Sequence, residues 1–178
     1  MPTSSSPLVM QPRFIPELDP KFVPASLWNR AFRDLARRQG AVPLVLAVER
    51  SDGSISRYET VALPEGSAEY ELNLRYAERI VKFLLWQRGG WKVHCGGPAA
   101  IGEHLRAVYA PGGARAFDHE FMSGVYEREF TVEITTADRV PAARETSSPL
   151  GRHLDGCRVG FDLGASDRKA SAVIDGEP

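Results

Sequence analysis

The residues best suited to chemistry lie near the C-terminal end of the sequence, where an apolar strand pattern runs into a turn of small residues. Gly164 and Ala165 would let the backbone of that turn come close to a ligand, and its N–H groups, with the Ser166 hydroxyl, could hold phosphate oxygens. Asp162 could bind Mg²⁺, usually through waters, and Lys169 would add a positive charge beside the phosphates. A plain hairpin with glycine in its turn and an acid at its rim accounts for the same residues, so both interpretations stay open.

A second candidate is the segment His94-Cys95-Gly96-Gly97-Pro98, which joins a predicted strand to a predicted helix. Exposed N–H groups at a helix N-terminus attract anions, so an anion site is one interpretation. The other, which the pattern favours, is a tight strand-to-helix turn that needs glycine for a positive φ. Neighbouring residues on a strand point to opposite faces, so His94 and Cys95 would not share a metal. We expect no metal site here, and we expect Cys95 to be a buried, small apolar residue.

The C-terminal segment resembles a known motif. Asp162-Leu163-Gly164-Ala165-Ser166, followed by Ala172-Val173-Ile174-Asp175-Gly176, is similar to the first phosphate motif of the actin-like ATPase superfamily of sugar kinases, actin and the large heat-shock chaperones. In that motif an Asp, an apolar residue, Gly, a small residue and Thr or Ser precede a return strand that closes in Asp-Gly. Residues 154–169 resemble members of the ROK group (repressors, open reading frames and sugar kinases) that have a long N-terminal extension. Residues 83–126 are similar to that extension.

The resemblance implies an ATP-dependent sugar kinase fold of two actin-like lobes, with ATP, Mg²⁺ and a sugar as ligands. By the family pattern, Asp162 would act near Mg²⁺, and Gly164 and Ser166 would bind nucleotide phosphate. The sequence departs from that pattern in one respect near the motif, because the spacing from Asp162 to Asp175 is one residue longer than usual. The turn of this hairpin is therefore expected to differ in shape from that of the family.

The sequence also lacks the parts that the family places after this motif. These are the catalytic-base Asp, the second phosphate loop, the adenosine loop and a Cys-rich zinc motif. Phosphoryl transfer depends on several such parts that position the reactants and stabilise charge together. We therefore expect the chain to be the N-terminal portion of a ROK-like kinase, with no catalytic residue of its own and no kinase activity alone.

A different class of function remains open for the first 136 residues, which could form a non-catalytic α/β binding or oligomerisation module. The net charge of −1 gives no field that would gather nucleic acid or an anionic membrane. The basic helix near the N-terminus has no preceding helix to complete a helix-turn-helix. A DNA-binding regulator is therefore disfavoured, and a homo-oligomer remains possible.

Composition and cysteine usage indicate a globular protein of the cytoplasm. Apolar residues make up 43% of the 178 residues and charged residues 25%, both near the globular average. The N-terminal segment has neither the basic start nor the apolar run of an export signal, and no stretch is long and apolar enough to span a bilayer. Two cysteines cannot form a disulfide framework, which favours a reducing compartment.

The elements that must position these residues follow from periodicity. We predict a proline-rich extended arm over 1–25, an α/β domain over 26–136, a linker over 137–157 and a hairpin over 158–178. Within the domain the predicted helices are 26–39 (capped by Ser26), 67–88, 99–109 and, less regularly, 117–126; the predicted strands are 42–49, 55–63, 91–95 and 130–135. This interleaving is typical of an α/β fold, or an α+β fold, with a mixed sheet and flanking helices. Three tryptophans, Trp28, Trp86 and Trp91, are predicted to be core residues.

Overall fold

A computed structural model of the chain describes residues 8, 10–145 and 155–177. The chain divides into two units, Met1–Glu145 and Thr146–Pro178, and each is described by itself. In the part of the chain that the structure describes, no helix has the combination of length and apolar sequence needed to cross a membrane.

The first unit alternates helices and strands nearly as the periodicity predicts. Its elements, in chain order, are α1 (Ala25–Arg38), β1 (Val42–Glu49), β2 (Ile55–Ala62), α2 (Leu72–Arg88), β3 (Lys92–Gly96), α3 (Ala99–Val108), α4 (Ala116–Tyr126), β4 (Thr131–Thr135) and a 3₁₀ helix (Ala137–Arg139). The segment 117–126, which the sequence left between helix and irregular structure, is helical.

The four strands of this unit form one sheet in the order β2-β1-β3-β4. β1 pairs antiparallel with both β2 and β3, whereas β3 pairs parallel with β4. A short hairpin turn at Asp52-Gly53 joins β1 to β2, and helices connect β3 to β4, as a parallel pair requires. The predicted α/β class, with a mixed sheet and flanking helices, is confirmed.

The helices contribute to a core on one face of the sheet. Alternate residues of β1 point there, and the core includes Leu44, Leu46 and Val48 together with side chains of α1, α2 and α3. Phe32 of α1 is fully buried in this core, with its ring centroid 4.3 Å from that of Tyr76 on α2. Burial of the apolar face of each helix in this core, more than intrinsic helix propensity, stabilises helices of this length in water.

The other face of the sheet carries a smaller cluster that includes Val45, Ala47 and Val140. Val140 belongs to the segment that follows the 3₁₀ helix, and the Arg57 side chain donates a hydrogen bond of 2.5 Å to its carbonyl oxygen. Arg144 continues this packing by pairing its backbone with that of Ile55. The first nine residues of the predicted linker 137–157 therefore belong to the first unit, and 146–154 lie outside the described residues.

Two helix starts differ from the prediction. Helix α1 begins at Ala25, directly after Pro24, and no side chain caps it, so the assignment of Ser26 as the cap is wrong. Helix α2 begins at Leu72 instead of residue 67, because residues 64–71 form turns. Asn73, fully buried near the start of α2, accepts a hydrogen bond of 2.8 Å from the Leu63 N–H and donates one to the Leu63 carbonyl. This contact ties the start of α2 to the end of β2.

The tryptophans divide into three cases. Trp28 is buried in the core, as predicted, and Trp91 is half-buried. Trp86 is 49% exposed, so its assignment to the core is wrong. The apolar pattern of α2 is wider than the surface that the sheet can cover, which leaves Trp86 on the outer side.

The second unit is a β-hairpin of β5 (Cys157–Leu163) and β6 (Arg168–Ile174). The strands pair antiparallel, with Asp162 opposite Lys169 and Leu163 opposite Arg168. One face of the hairpin is apolar and includes Val159, Phe161 and Leu163, all exposed.

Near the N-terminus, the described residues 10–24 form turns and irregular chain where the sequence predicts an extended arm.

Candidate functional site

The predicted phosphate loop occupies residues 164–167, between β5 and β6. Gly164 approaches Asp167 closely: a Cβ at this position would lie 2.8 Å from the Asp167 side chain and 3.0 Å from the Asp167 carbonyl oxygen. A side chain at position 164 would crowd Asp167, so glycine suits this tight loop. Ala165 and Ser166 form the tip of the loop and are exposed, so a ligand can reach their backbone and the Ser166 hydroxyl.

Charged side chains of both signs surround this loop. The Lys169 ammonium lies 3.6 Å from a carboxylate oxygen of Asp162 and 3.1 Å from one of Asp167. All three side chains are more than half exposed, so these ion pairs contribute little to stability. A weakly held ion pair leaves both Lys169 and Asp162 available to an incoming charged group.

The Asp-Gly pair of the motif closes the opposite end of the hairpin. Asp175 adopts a left-handed backbone conformation with φ of 49°. Its carboxylate accepts a hydrogen bond of 2.8 Å from the Gly156 N–H, and its own N–H donates to the Gly156 carbonyl oxygen. Asp175 therefore fixes the register of the two strands, and it lies at the end of the hairpin remote from the loop.

The donor set around the loop fits a nucleotide phosphate with Mg²⁺. Asp162 and Asp167 offer exposed carboxylate oxygens, which are the ligands that Mg²⁺ prefers, while Ser166 and the loop backbone offer donors to phosphate. Bound Mg²⁺ would supply neutralisation of phosphate charge. Of the predicted residues, the structure places Asp162, Gly164, Ala165, Ser166 and Lys169 at one end of the hairpin.

The second candidate, at Gly96-Gly97-Pro98, lies where β3 ends and α3 begins. A cavity of about 440 Å³ opens there, lined by Val42, Pro43, Glu65, Gly97, Pro98, Thr136 and Ala137. Its one charged lining residue is Glu65, which disfavours an anion. Gly97 has φ of 152°, and a Cβ on it would lie 2.9 Å from the Pro43 carbonyl oxygen. The geometry therefore favours the tight glycine turn over the anion site.

His94 and Cys95 point to opposite faces of the sheet, as predicted. The His94 ring lies on the face away from the helices, with Nε2 2.9 Å from a carboxylate oxygen of Glu49 and Nδ1 3.7 Å from one of Glu133. Sequence reasoning missed this pairing, because the three residues come from different strands. Within the described residues, no group of three or more potential ligands is arranged to hold a metal ion.

Cys95 is 1% exposed within the helix-side core, and burial raises the pKa of its thiol to about 12. A thiol reacts as thiolate, so Cys95 is expected to resist Ellman's reagent in the native protein. We predict that it reacts in denaturant at least about a hundredfold faster than in buffer. The measurement is the time course of thiol release for a Cys157→Ser variant, in which Cys95 is the only thiol. Equal rates in buffer and in denaturant would contradict this prediction.

A third group of residues was not singled out as a site by the sequence. Trp86 and Lys82 of α2 meet Asp118 of α4, a buried carboxylate. The available signal was the spacing of Lys82 and Trp86, which are four residues apart and share one face of a helix.

Comparisons with known proteins do not identify a family for this chain. No protein-family model matches the chain, and neither the curated proteins nor the solved structures include a significant match.

Proposed function

We propose that this chain carries the first nucleotide-phosphate-binding hairpin of a ROK-like, ATP-dependent sugar kinase. The observation that carries the proposal is the loop 164–167, in which a closely packed glycine, an exposed serine and a flanking aspartate stand together at one hairpin end. The resemblance to the actin-like phosphate motif, stated above, supplies the reaction class. The parts needed for phosphoryl transfer are not assigned to any residue of this chain, so no catalytic residue is proposed.

Each loop residue has a distinct role in this proposal. The Ser166 hydroxyl and the backbone N–H groups near Ala165 donate hydrogen bonds to phosphate oxygens. Asp162 holds Mg²⁺, through water, beside those oxygens. Lys169 now lies between two carboxylates and shifts toward the phosphates when they bind. Gly164 keeps the loop tight enough for these groups to converge.

The surface of the hairpin supports its assignment to a larger sheet. Its apolar face, with Val159, Phe161 and Leu163 exposed, is suited to packing against another layer, while Asp162 and Lys169 occupy the polar face. Isolated two-stranded hairpins are marginally stable in water. An actin-like lobe, which the resemblance implies, would cover the apolar face.

The proposal includes a cytoplasmic location and a sugar as the second substrate. Both cysteines, Cys95 and Cys157, are free thiols, and free thiols persist in a reducing compartment. The identity of the sugar depends on parts that lie outside this hairpin.

A nucleotide titration tests the loop directly. We expect MgATP, added to ¹⁵N-labelled protein, to shift the amide resonances of residues 162–169 before others, with weak affinity. Replacing Ser166 by alanine removes one charge-assisted hydrogen bond, so the dissociation constant for MgATP is expected to rise about tenfold. The measurement is the chemical-shift change as a function of MgATP concentration.

The matched control for this variant is Ser171→Ala, which removes a hydroxyl from the β6 strand of the same hairpin. Its affinity for MgATP is expected to equal that of the unsubstituted chain. A titration in which MgATP shifts no loop amide, or in which both serine variants weaken binding equally, would count against the proposal.

A further inference from the structure

Helices α2 and α4 present a continuous aromatic surface to solvent. The Trp86 ring stacks on Phe117 at 6.2 Å and on Phe121 at 5.3 Å between centroids, and the two phenylalanine rings stack on each other. All of these rings are substantially exposed, and Phe83 and Val125 extend the surface at 59% and 58% exposure. Single exposed apolar residues are ordinary, but a stacked group of three exposed aromatic residues is typical of a binding surface.

A partly buried ion pair, with a buried carboxylate, holds this surface in place. Asp118, 1% exposed, accepts hydrogen bonds of 2.8 and 2.9 Å from the Lys82 ammonium and one of 2.7 Å from the Trp86 indole N–H. The polar atom of Trp86 is thereby satisfied inside the protein, and its ring is fixed before any partner arrives. Preorganisation of this kind reduces the entropy lost on binding.

A groove with positive charge runs along the aromatic surface. Its volume is about 500 Å³, and its lining residues are Arg79, Lys82, Phe83, Trp86, Gln87 and Arg115. Three of these six side chains are basic and none is acidic. Asp118 and Glu78 neutralise Lys82 and Arg115, respectively.

Arg79 carries the remaining positive charge of the groove. Its guanidinium has no carboxylate within ion-pair distance among the described residues, and it lies over the Trp28 ring beside Arg75. Burial and the neighbouring charge of Arg75 lower the pKa of Arg79. The groove therefore combines an apolar floor with an uncompensated cationic rim.

We propose that this groove, with Phe83 and Trp86 as its floor and Arg79 on its rim, docks an acidic segment of a partner polypeptide. The segment places an aromatic or aliphatic side chain against the floor and Asp or Glu beside the rim. Arginine and large aromatic residues are the types that dominate binding energy at protein interfaces. This site lies in the first unit, and it stands whether or not the hairpin binds nucleotide.

The positive charge of the groove favours an acidic partner segment over a second copy of the chain. In a symmetric dimer built on this face, the Arg75 and Arg79 side chains of one copy would approach the same cationic rim of the other. Like charges brought together across an interface oppose association, whereas carboxylates would be attracted. An acidic partner is therefore favoured over self-association.

Three fluorescein-labelled peptides test the proposal by fluorescence anisotropy. The first alternates Glu with Phe and Leu, the second has Lys in place of each Glu, and the third has Ser in place of each Phe and Leu. The first is expected to bind at least about tenfold more tightly than either of the others. Phe83→Ser is expected to weaken its binding about tenfold, because it removes part of the apolar floor.

Matched variants separate the groove from general effects. Phe14→Ser removes an exposed phenylalanine elsewhere, and Arg37→Glu reverses an exposed charge on α1; both are expected to leave peptide binding unchanged. Arg79→Glu is expected to abolish the preference for the acidic peptide over the lysine peptide. The proposal is overturned if the acidic peptide does not bind, if it binds no better than the other two, or if Phe14→Ser weakens it as much as Phe83→Ser. It is equally overturned if sedimentation velocity reveals a dimer that Phe83→Ser dissociates.

Discussion

Replacing Asp118 by alanine is expected to lower the free energy of unfolding by about 3 kcal/mol, because it removes the buried carboxylate of a partly buried ion pair. The carboxylate is 1% exposed and accepts hydrogen bonds from both Lys82 and Trp86. Asp118 also lies in the first turn of α4, where a negative charge interacts favourably with the helix dipole. Lys82 is partly exposed and can reach water after the substitution, which places the expected loss at the lower end for buried pairs. Urea denaturation followed by circular dichroism measures the change.

Asp34→Ala provides the control for this prediction. Asp34 also pairs with a basic side chain, Arg37 at 3.2 Å, but both are largely exposed on the surface of α1. Its removal is expected to change stability by less than about 0.5 kcal/mol. If both aspartate variants have the same stability, Asp118 does not hold α2 and α4 together. Loss of peptide binding in a folded Asp118→Asn variant would, in addition, link this carboxylate to the groove.

Replacing Phe32 by alanine is expected to cost about 4 kcal/mol, which is the effect of leaving a large cavity in a packed core. Phe32 is fully buried between two other aromatic rings, with its centroid 5.6 Å from Trp28 and 4.3 Å from Tyr76. It joins α1 to α2 over the sheet, so its removal separates two helices that share one core. The midpoint of urea denaturation is expected to fall with little change in the slope.

Phe14→Ala is the matched control, since Phe14 is the same residue type at 80% exposure. Its stability is expected to lie within about 0.5 kcal/mol of the unsubstituted chain. If Phe14→Ala and Phe32→Ala lower the free energy of unfolding by similar amounts, the position of Phe32 in the core does not account for its effect.

The two proposed sites lie in different units, so each proposal can be disproved without affecting the other. The nucleotide titration reports on the hairpin of β5 and β6, and the peptide titration reports on α2 and α4 of the first unit. A docking groove in the first unit would agree with the binding module that the sequence left open as an alternative to the kinase. Both activities can also belong to one protein, since the groove and the loop share no residue.

Much of the secondary structure could be predicted because strong local patterns specify it. The strand Val42–Glu49 is apolar up to its last residue and is followed within a few residues by the Asp52-Gly53 turn, and its observed bounds match the prediction. The start of α2 could not be predicted, because residues 64–71 form turns and Asn73, in the first turn of the helix, binds the Leu63 backbone. That contact joins residues ten positions apart, and no helix-start signal in the sequence marks it.

The candidate loop was available to sequence reasoning, whereas the groove was not. Asp162, Gly164, Ser166 and Lys169 lie within eight consecutive residues, so a single turn brings them together. The groove joins Trp86 to Asp118, 32 residues away along the chain, and this contact exists only after α2 and α4 pack. The periodicity of α2 placed Trp86 in the core because apolar spacing alone does not report how wide a surface the neighbouring elements cover.

The sequence by itself therefore determined the α/β class, with its mixed sheet, and the hairpin with its glycine turn. These features depend on periodicity and turn chemistry, which act between residues close in the chain. The tertiary structure alone decided which side chains remain exposed, the pairing of His94 with two glutamates and the burial of Asp118 beneath Trp86. Those outcomes depend on which elements exclude water from one another, and that is fixed only when distant segments pack together.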